Sequence, residues 1–195
     1  MENHTEQEEI MTETTLYILT QIIGYVALGF GALAFQCKKH KNVMLAKTAN
    51  ELFFCVQYFL LGAYTGMAMN LVSSLRNLIF ARQVEKGKST RSMQILFSVF
   101  FVIFGLLTWQ GTISIIIILA KIVTTVAYGI KNTRIIRALT LPTSTCWLIY
   151  NYLSGSGAGV ICEILSLVSI ITAMIRIELI EPLLKRKSNK TEKQV

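Results

Sequence analysis

The stretches GMAMNLVSSLRNLIFAR (66–82) and GVICEILSLVSIITAMIR (159–176) read as two copies of one apolar helix. In each, Gly is followed by a polar residue and then by Ser at the same spacing: Gly66, Asn70 and Ser73 in the first, Gly159, Glu163 and Ser166 in the second. Carried outward, the same offset places Phe54 on Trp147, Leu60 on Leu153, Gly62 on Gly155, Phe35 on Tyr128, Lys38 on Lys131 and Lys41 on Arg134. Apolar matches between helices arise by chance, because Leu often meets Leu. Gly, polar and basic matches held in one ungapped register are harder to obtain that way, and they mark an internal repeat.

Composition puts this repeat in a membrane. Apolar residues make up 53% of the chain, mean hydropathy is +0.53, and the charges sit in short clusters between long uncharged runs. A soluble domain of this size spreads its charges over its surface. A helix crosses the hydrocarbon layer with about 20 mainly apolar residues. Seven segments approach that length: 16–35, 43–61, 67–81, 93–109, 113–130, 139–153 and 160–177. Interfacial Trp, Tyr and Arg complete the shorter ones. Runs such as ISIIIIL (113–119) do not alternate between polar and apolar, so helices are favoured over a transmembrane barrel.

Lys and Arg set the predicted orientation. They gather between the first two segments (Lys38, Lys39, Lys41, Lys47), between the third and fourth (Arg82, Lys86, Lys88, Arg91), between the fifth and sixth (Lys131, Arg134, Arg137), and in the C-terminal tail. The connections 62–66, 110–111 and 154–159 carry none. Basic loops stay cytoplasmic, which predicts seven crossings with the N-terminus outside and the C-terminus inside. The N-terminal Glu2, Glu6, Glu8, Glu9 and Glu13 are the opposite of a signal peptide's basic n-region, so residues 1–15 are expected to be a retained, disordered extracytoplasmic tail. The expected division continues with a first three-helix bundle (16–82), a loop and linker helix (83–111), a second three-helix bundle (112–177) and a basic cytoplasmic tail (178–195). The linker restores chain direction, so the two triplets run parallel about an axis along the membrane normal, a 3+1+3 plan. The net charge of +8 is then a topology signal with contact to anionic lipid. Nucleic-acid binding would need a basic face on a soluble module, and none is visible.

An ionisable group inside a bilayer costs about 2.5 to 3.5 kcal/mol on insertion scales and turns toward the bundle interior with a partner. Glu51, Lys121 and Glu163 are the groups least able to reach the interface. Lys121 lies about nine residues from the outer end of its helix and Glu51 about eight from the cytoplasmic end, so both sit near mid-depth and can pair. Glu163 lies about one turn inside the outer boundary. Arg76 and Arg176 read as snorkelling anchors near cytoplasmic ends, and Trp109 as an outer-interface anchor. Asn50, Gln57, Asn70, Asn77 and Asn151 read as interhelical hydrogen-bonding groups, and Gly24, Gly29 and Gly31 as sites of close helix packing. Cys55, Cys146 and Cys162 fall within helices and Cys37 at a helix end, without disulfide or zinc spacing, so no metal or other cofactor is expected. No Ser-x-x-Lys, His-x-x-x-His or Gly-x-Ser-x-Gly grouping lies in a helix, and the chain is not expected to be an enzyme.

The seven-helix count, the basic loop after the first helix of each triplet and the aromatic–Gly–Asn pattern together resemble one group of membrane proteins. These are the small transporters of the MtN3, PQ-loop and SWEET group and, within it, the bacterial YgjV-type inner-membrane proteins; the resemblance extends over 16–177. It implies a bacterial inner-membrane location. It also implies that an Asn on the third helix of each triplet, here Asn70 and Glu163, touches substrate at the midplane, beside an aromatic on the second helix, here Phe54 and Trp147. Those carriers often place a hinge Pro in the first helix of each triplet, whereas this chain has only Pro142 and Pro182, neither of them there. The expected function is carriage of a small polar metabolite by alternating access. Glu163, a carboxyl where the family has an amide, is the candidate for proton coupling, beside the Glu51–Lys121 pair. The alternative is a non-transporting receptor or partner-binding protein on the same bundle. Short outer connections and polar helices favour the carrier. A homo-oligomer is left open.

Overall fold

The computed structural model describes residues 2–36, 40–86, 88–128 and 133–175. Among these residues run seven α-helices and no strand: α1 (Glu2–Gln36), α2 (His40–Leu60), α3 (Tyr64–Glu85), α4 (Arg91–Leu107), α5 (Thr112–Tyr128), α6 (Thr133–Leu153) and α7 (Gly157–Met174). Each packs on its chain neighbours, and contacts of α1 with α7 and of α3 with α5 close the bundle. Cys37, Lys38, Lys39, Lys131, Arg176 and the basic tail 178–195 lie outside the described residues.

The distribution of polarity is the reverse of a soluble protein's. Ile18, Leu33, Ile95, Leu107, Leu119 and Val168 are exposed on the outside, while Gln57, Arg76, Asn77, Ser114, Thr125 and Asn151 are buried inside. Such a surface suits a hydrocarbon solvent, in which every polar group has to find its partner within the bundle. α1 contains a 22-residue stretch, Glu13–Ala34, long and apolar enough to cross alone. α4, α5 and most of α7 are apolar but shorter, while α2, α3 and α6 carry polar stripes that lower their mean hydropathy. These stripes face inward.

The acidic N-terminal segment is not a disordered tail, because α1 begins at Glu2. Glu is a strong helix former, and carboxylates near a helix N-terminus interact favourably with the macrodipole, so an acidic run extends this helix instead of fraying it. Of the three α1 glycines marked for close packing, Gly24 lies against the side chain of Gln57 and Gly31 against Asn50, whereas Gly29 faces open space.

The turns after α2 and α6 are built alike. Gly62 and Gly155, 93 residues apart, adopt positive φ of 67° and 69°. Around the first, the N–H groups of Leu61, Gly62 and Ala63 donate to Gln57, Phe59 and Tyr58 carbonyls; around the second, those of Ser154, Gly155 and Ser156 donate to Tyr150, Tyr152 and Asn151. Every partner shifts by the same 93 residues, and both turns have the Schellman pattern that a left-handed glycine permits.

Candidate functional site

The inward stripes of α2 and α6 face one another across a cavity of about 290 Å³. On α2 the wall is Lys47, Glu51, Phe54 and Tyr58, spaced four, three and four residues apart, which is one face of a helix. On α6 the positions 93 residues later form the opposite wall: Thr140, Ser144, Trp147 and Asn151. Asn70 of α3, Lys121 of α5 and Glu163 of α7 close the sides. All six residues singled out in the sequence, Glu51, Phe54, Asn70, Lys121, Trp147 and Glu163, therefore line a single space.

The charges in it are organised around Glu51. Its Oε1 lies 3.7 Å from Lys121 Nζ and 3.7 Å from Arg76 Nη2. Lys121 donates to Asn70 Oδ1 at 3.2 Å and stands 4.7 Å above the Trp147 ring. Asn70 is itself oriented by donating from Nδ2 to the Gly66 carbonyl. Glu163 lies across the cavity, where its carboxyl is a hydrogen-bond partner of Ser144 and feels the charges of Lys47 and Lys121.

Arg76 corrects the reading of that residue as a snorkelling anchor. It is wholly inaccessible, donating to Thr125 Oγ1 at 2.8 Å and to Asn77 Oδ1 at 3.1 and 3.3 Å, with its guanidinium 5.1 Å from the Tyr128 ring centroid and 5.7 Å from that of Phe101. The cause is helix length: α3 continues to Glu85, so Arg76 lies too far from the helix end to reach the interface. Lys47, grouped with the loop lysines by sequence, is likewise two turns inside α2 and stands 5.6 Å from the Tyr128 ring centroid.

At the end bearing the two glycine turns, the bundle is shut. The Tyr58 hydroxyl donates to Asn151 Oδ1, joining residues at equivalent places in the two walls. The Ser156 hydroxyl donates to Gln57 Oε1 at 2.9 Å, while Tyr150 accepts from the Gly66 N–H at 2.7 Å and donates to the Ala63 carbonyl. Tyr58, Trp147 and Tyr150 pack ring against ring beneath these bonds. Gln21 grips the second turn through Gly155 and Gly157, and Gln110 grips the first through Gly62 and Thr65. Toward the opposite end the lining continues to Lys47, Arg137 and Ile170. Sequence reasoning missed the Tyr58–Asn151 closure, although the 93-residue offset that aligns Phe54 with Trp147 also aligns this pair.

Residues 18–180 match the Imp-YgjV family, described as bacterial inner membrane protein, and the chain belongs to that family. It is similar to the inner membrane protein YgjV of Escherichia coli strain K12, with 26% identity over 152 residues that cover 76% of this chain and 79% of the relative. No solved structure matches it. The chain is accordingly a bacterial inner membrane protein, and its helical bundle is that of a multi-pass one.

Proposed function

We propose that this member of the bacterial inner-membrane family carries a small polar metabolite by alternating access, as two parallel three-helix units joined by α4, on the plan of the SWEET-like transporters. The observation that carries the reading is a mid-bundle cavity lined by charged, amide and aromatic side chains and sealed at one end by contacts that repeat at the 93-residue offset, Tyr58 with Asn151, and Gln57 with Ser156 as Tyr150 with Ala63. The matching turns and walls at one 93-residue offset support the repeat. With the basic loops cytoplasmic, the sealed end is the outer one, and the cavity lining runs on toward the cytoplasm through Lys47 and Arg137. Reversal then requires Tyr58 to part from Asn151 and Tyr150 from Gly66, while contacts at the basic end close. Asn70, Phe54, Trp147 and Glu163 contact the metabolite, and Glu163 exchanges a proton in step with its passage. The exposed apolar belt is the lipid contact.

Cysteine accessibility tests this without knowledge of the substrate. In a cysteine-free background, a single Cys at Ser144 is expected to react with a membrane-impermeant maleimide from either face, because a carrier exposes its site to each in turn. A Cys at Lys88 is expected to react only from the cytoplasm, which fixes the orientation. Reaction of Ser144→Cys from the cytoplasmic face alone would leave a permanently sealed bundle and favour the receptor or partner-binding role.

A further inference from the structure

We infer that the cavity takes a small organic carboxylate, whose anionic group docks on the Lys121 ammonium beside Asn70 and Trp147; this deepens the carrier reading and rests on it. Charge comes first. Among the described residues, the lining contains Lys47, Lys121 and Arg137 against Glu51 and Glu163, and Arg76 stands directly behind Glu51. The Glu51 carboxylate is shared at 3.7 Å by two cations, so one negative charge serves both Arg76 and Lys121. A low-dielectric space in which two cations share one carboxylate favours an incoming anion over a cation.

Geometry narrows the docking point to Lys121. An ammonium has three donors, and the hydrogen bond formed here goes to a neutral amide oxygen, Asn70 Oδ1. The separation of 3.7 Å from Glu51 exceeds ordinary N–H···O length. Arg76, by contrast, spends its guanidinium on Thr125, Asn77 and Glu51 and is shut away from the cavity. Lys121 is therefore the cation of the cluster that can turn a donor toward a ligand, while the Asn70 amide, pinned by the Gly66 carbonyl, holds the ammonium in place. Around it the walls are the rings of Phe54 and Trp147 and the hydroxyls of Ser144 and Thr140. That combination fits an organic body with polar substituents better than a bare inorganic anion, which would leave the aromatic surface unused.

The test is a thermal-shift series on the detergent-purified protein with lactate, succinate and benzoate, each beside its own amide, together with glycerol, ethanolamine, chloride and methyl phosphate. At least one carboxylate is expected to raise the melting temperature saturably, with its amide binding at least tenfold more weakly. Lys121→Met is expected to abolish the response and Lys121→Arg to keep it. Glu51→Gln is expected to start from a lower melting temperature, because Arg76 and Lys121 lose their shared acid, and to show a larger shift with carboxylate; this gain is readable even where the Lys121→Met variant does not fold. No response to any carboxylate, an equal response to the amides, or a stronger one to ethanolamine, chloride or methyl phosphate overturns the inference. Counterflow of the bound carboxylate in proteoliposomes separates the two readings. Binding without counterflow rejects the carrier and leaves the ligand class standing, while counterflow of glycerol without any carboxylate response does the reverse.

Discussion

The walls of α2 and α6 occupy equivalent places around the cavity but differ in chemistry. Where α2 presents Lys47, Glu51, Phe54 and Tyr58, α6 presents Thr140, Ser144, Trp147 and Asn151. The backbone features that shape the two, the positive-φ glycines and the bonds around them, are the same. Charge is not: α2 brings an acid held between two bases, and α6 brings hydroxyls and an indole. The third helices repeat the contrast in reverse, with neutral Asn70 on α3 and Glu163 on α7. Packing geometry constrains both halves alike, whereas the side chains facing the cavity answer to whatever occupies it, and there the halves are free to diverge.

The largest expected effect breaks this contrast at its most buried point. Arg76→Ala leaves Glu51 facing Lys121 at 3.7 Å without the guanidinium, and losing one member of a buried charge cluster costs about 3 to 5 kcal/mol. The equivalent change on the other half, Ser169→Ala, alters a residue of the exposed face and is expected to stay within about 0.5 kcal/mol. Melting curves of the two variants in one detergent compare them directly, and equal losses would show that the charged wall has no special structural weight. A smaller effect is expected from Trp147→Ala. It removes a stacking surface from the cavity wall together with the ring beneath the Lys121 ammonium, a contact that contributes about 2 kcal/mol to the folded protein when desolvated. Ligand affinity is expected to fall by more than stability does, and a large drop in melting temperature with unchanged affinity would assign the residue to packing alone. The smallest stability effect belongs to Glu163→Gln, an isosteric change beside Ser144. Uptake is expected to lose its dependence on pH while exchange continues, and Asn70→Ala is expected to lower both. Uptake by Glu163→Gln vesicles that follows pH as the parent does would leave the Asn70–Glu163 difference without a coupling role.

The helices were legible in the sequence because runs of apolar residues admit no other structure in lipid. Their ends were less so, since polar turns such as 82–85 of α3 look like loop. That shortfall displaced Arg76: a boundary at 81 puts it near an interface, and a helix reaching Glu85 does not. The grouping of Glu51, Lys121 and Glu163 was legible for an energetic reason, because ionisable side chains in a bilayer have few places to go. Tyr58 and Asn151 carry no charge to mark them, and only the bundle's three-dimensional closure brings the hydroxyl onto the amide. The acidic N-terminus misled in the other direction, since Glu favours solvent and helix alike, and composition by itself does not choose between them.

Arg76 also bears on how the chain enters the membrane. A solitary α3 would carry a guanidinium and the amides of Asn70 and Asn77 into lipid, a heavy burden at the insertion step. Its acidic partner lies on α2, joined by a short turn and synthesised earlier, whereas Thr125 and Lys121 emerge from the ribosome later. The order of translation thus delivers the acid before the base, and an α2–α3 hairpin can cross with Arg76 already paired to Glu51 while α5 completes the cluster afterwards. The guanidinium of α3 is thus compensated as it enters, and Lys121 of α5 arrives to find its counter-ion waiting.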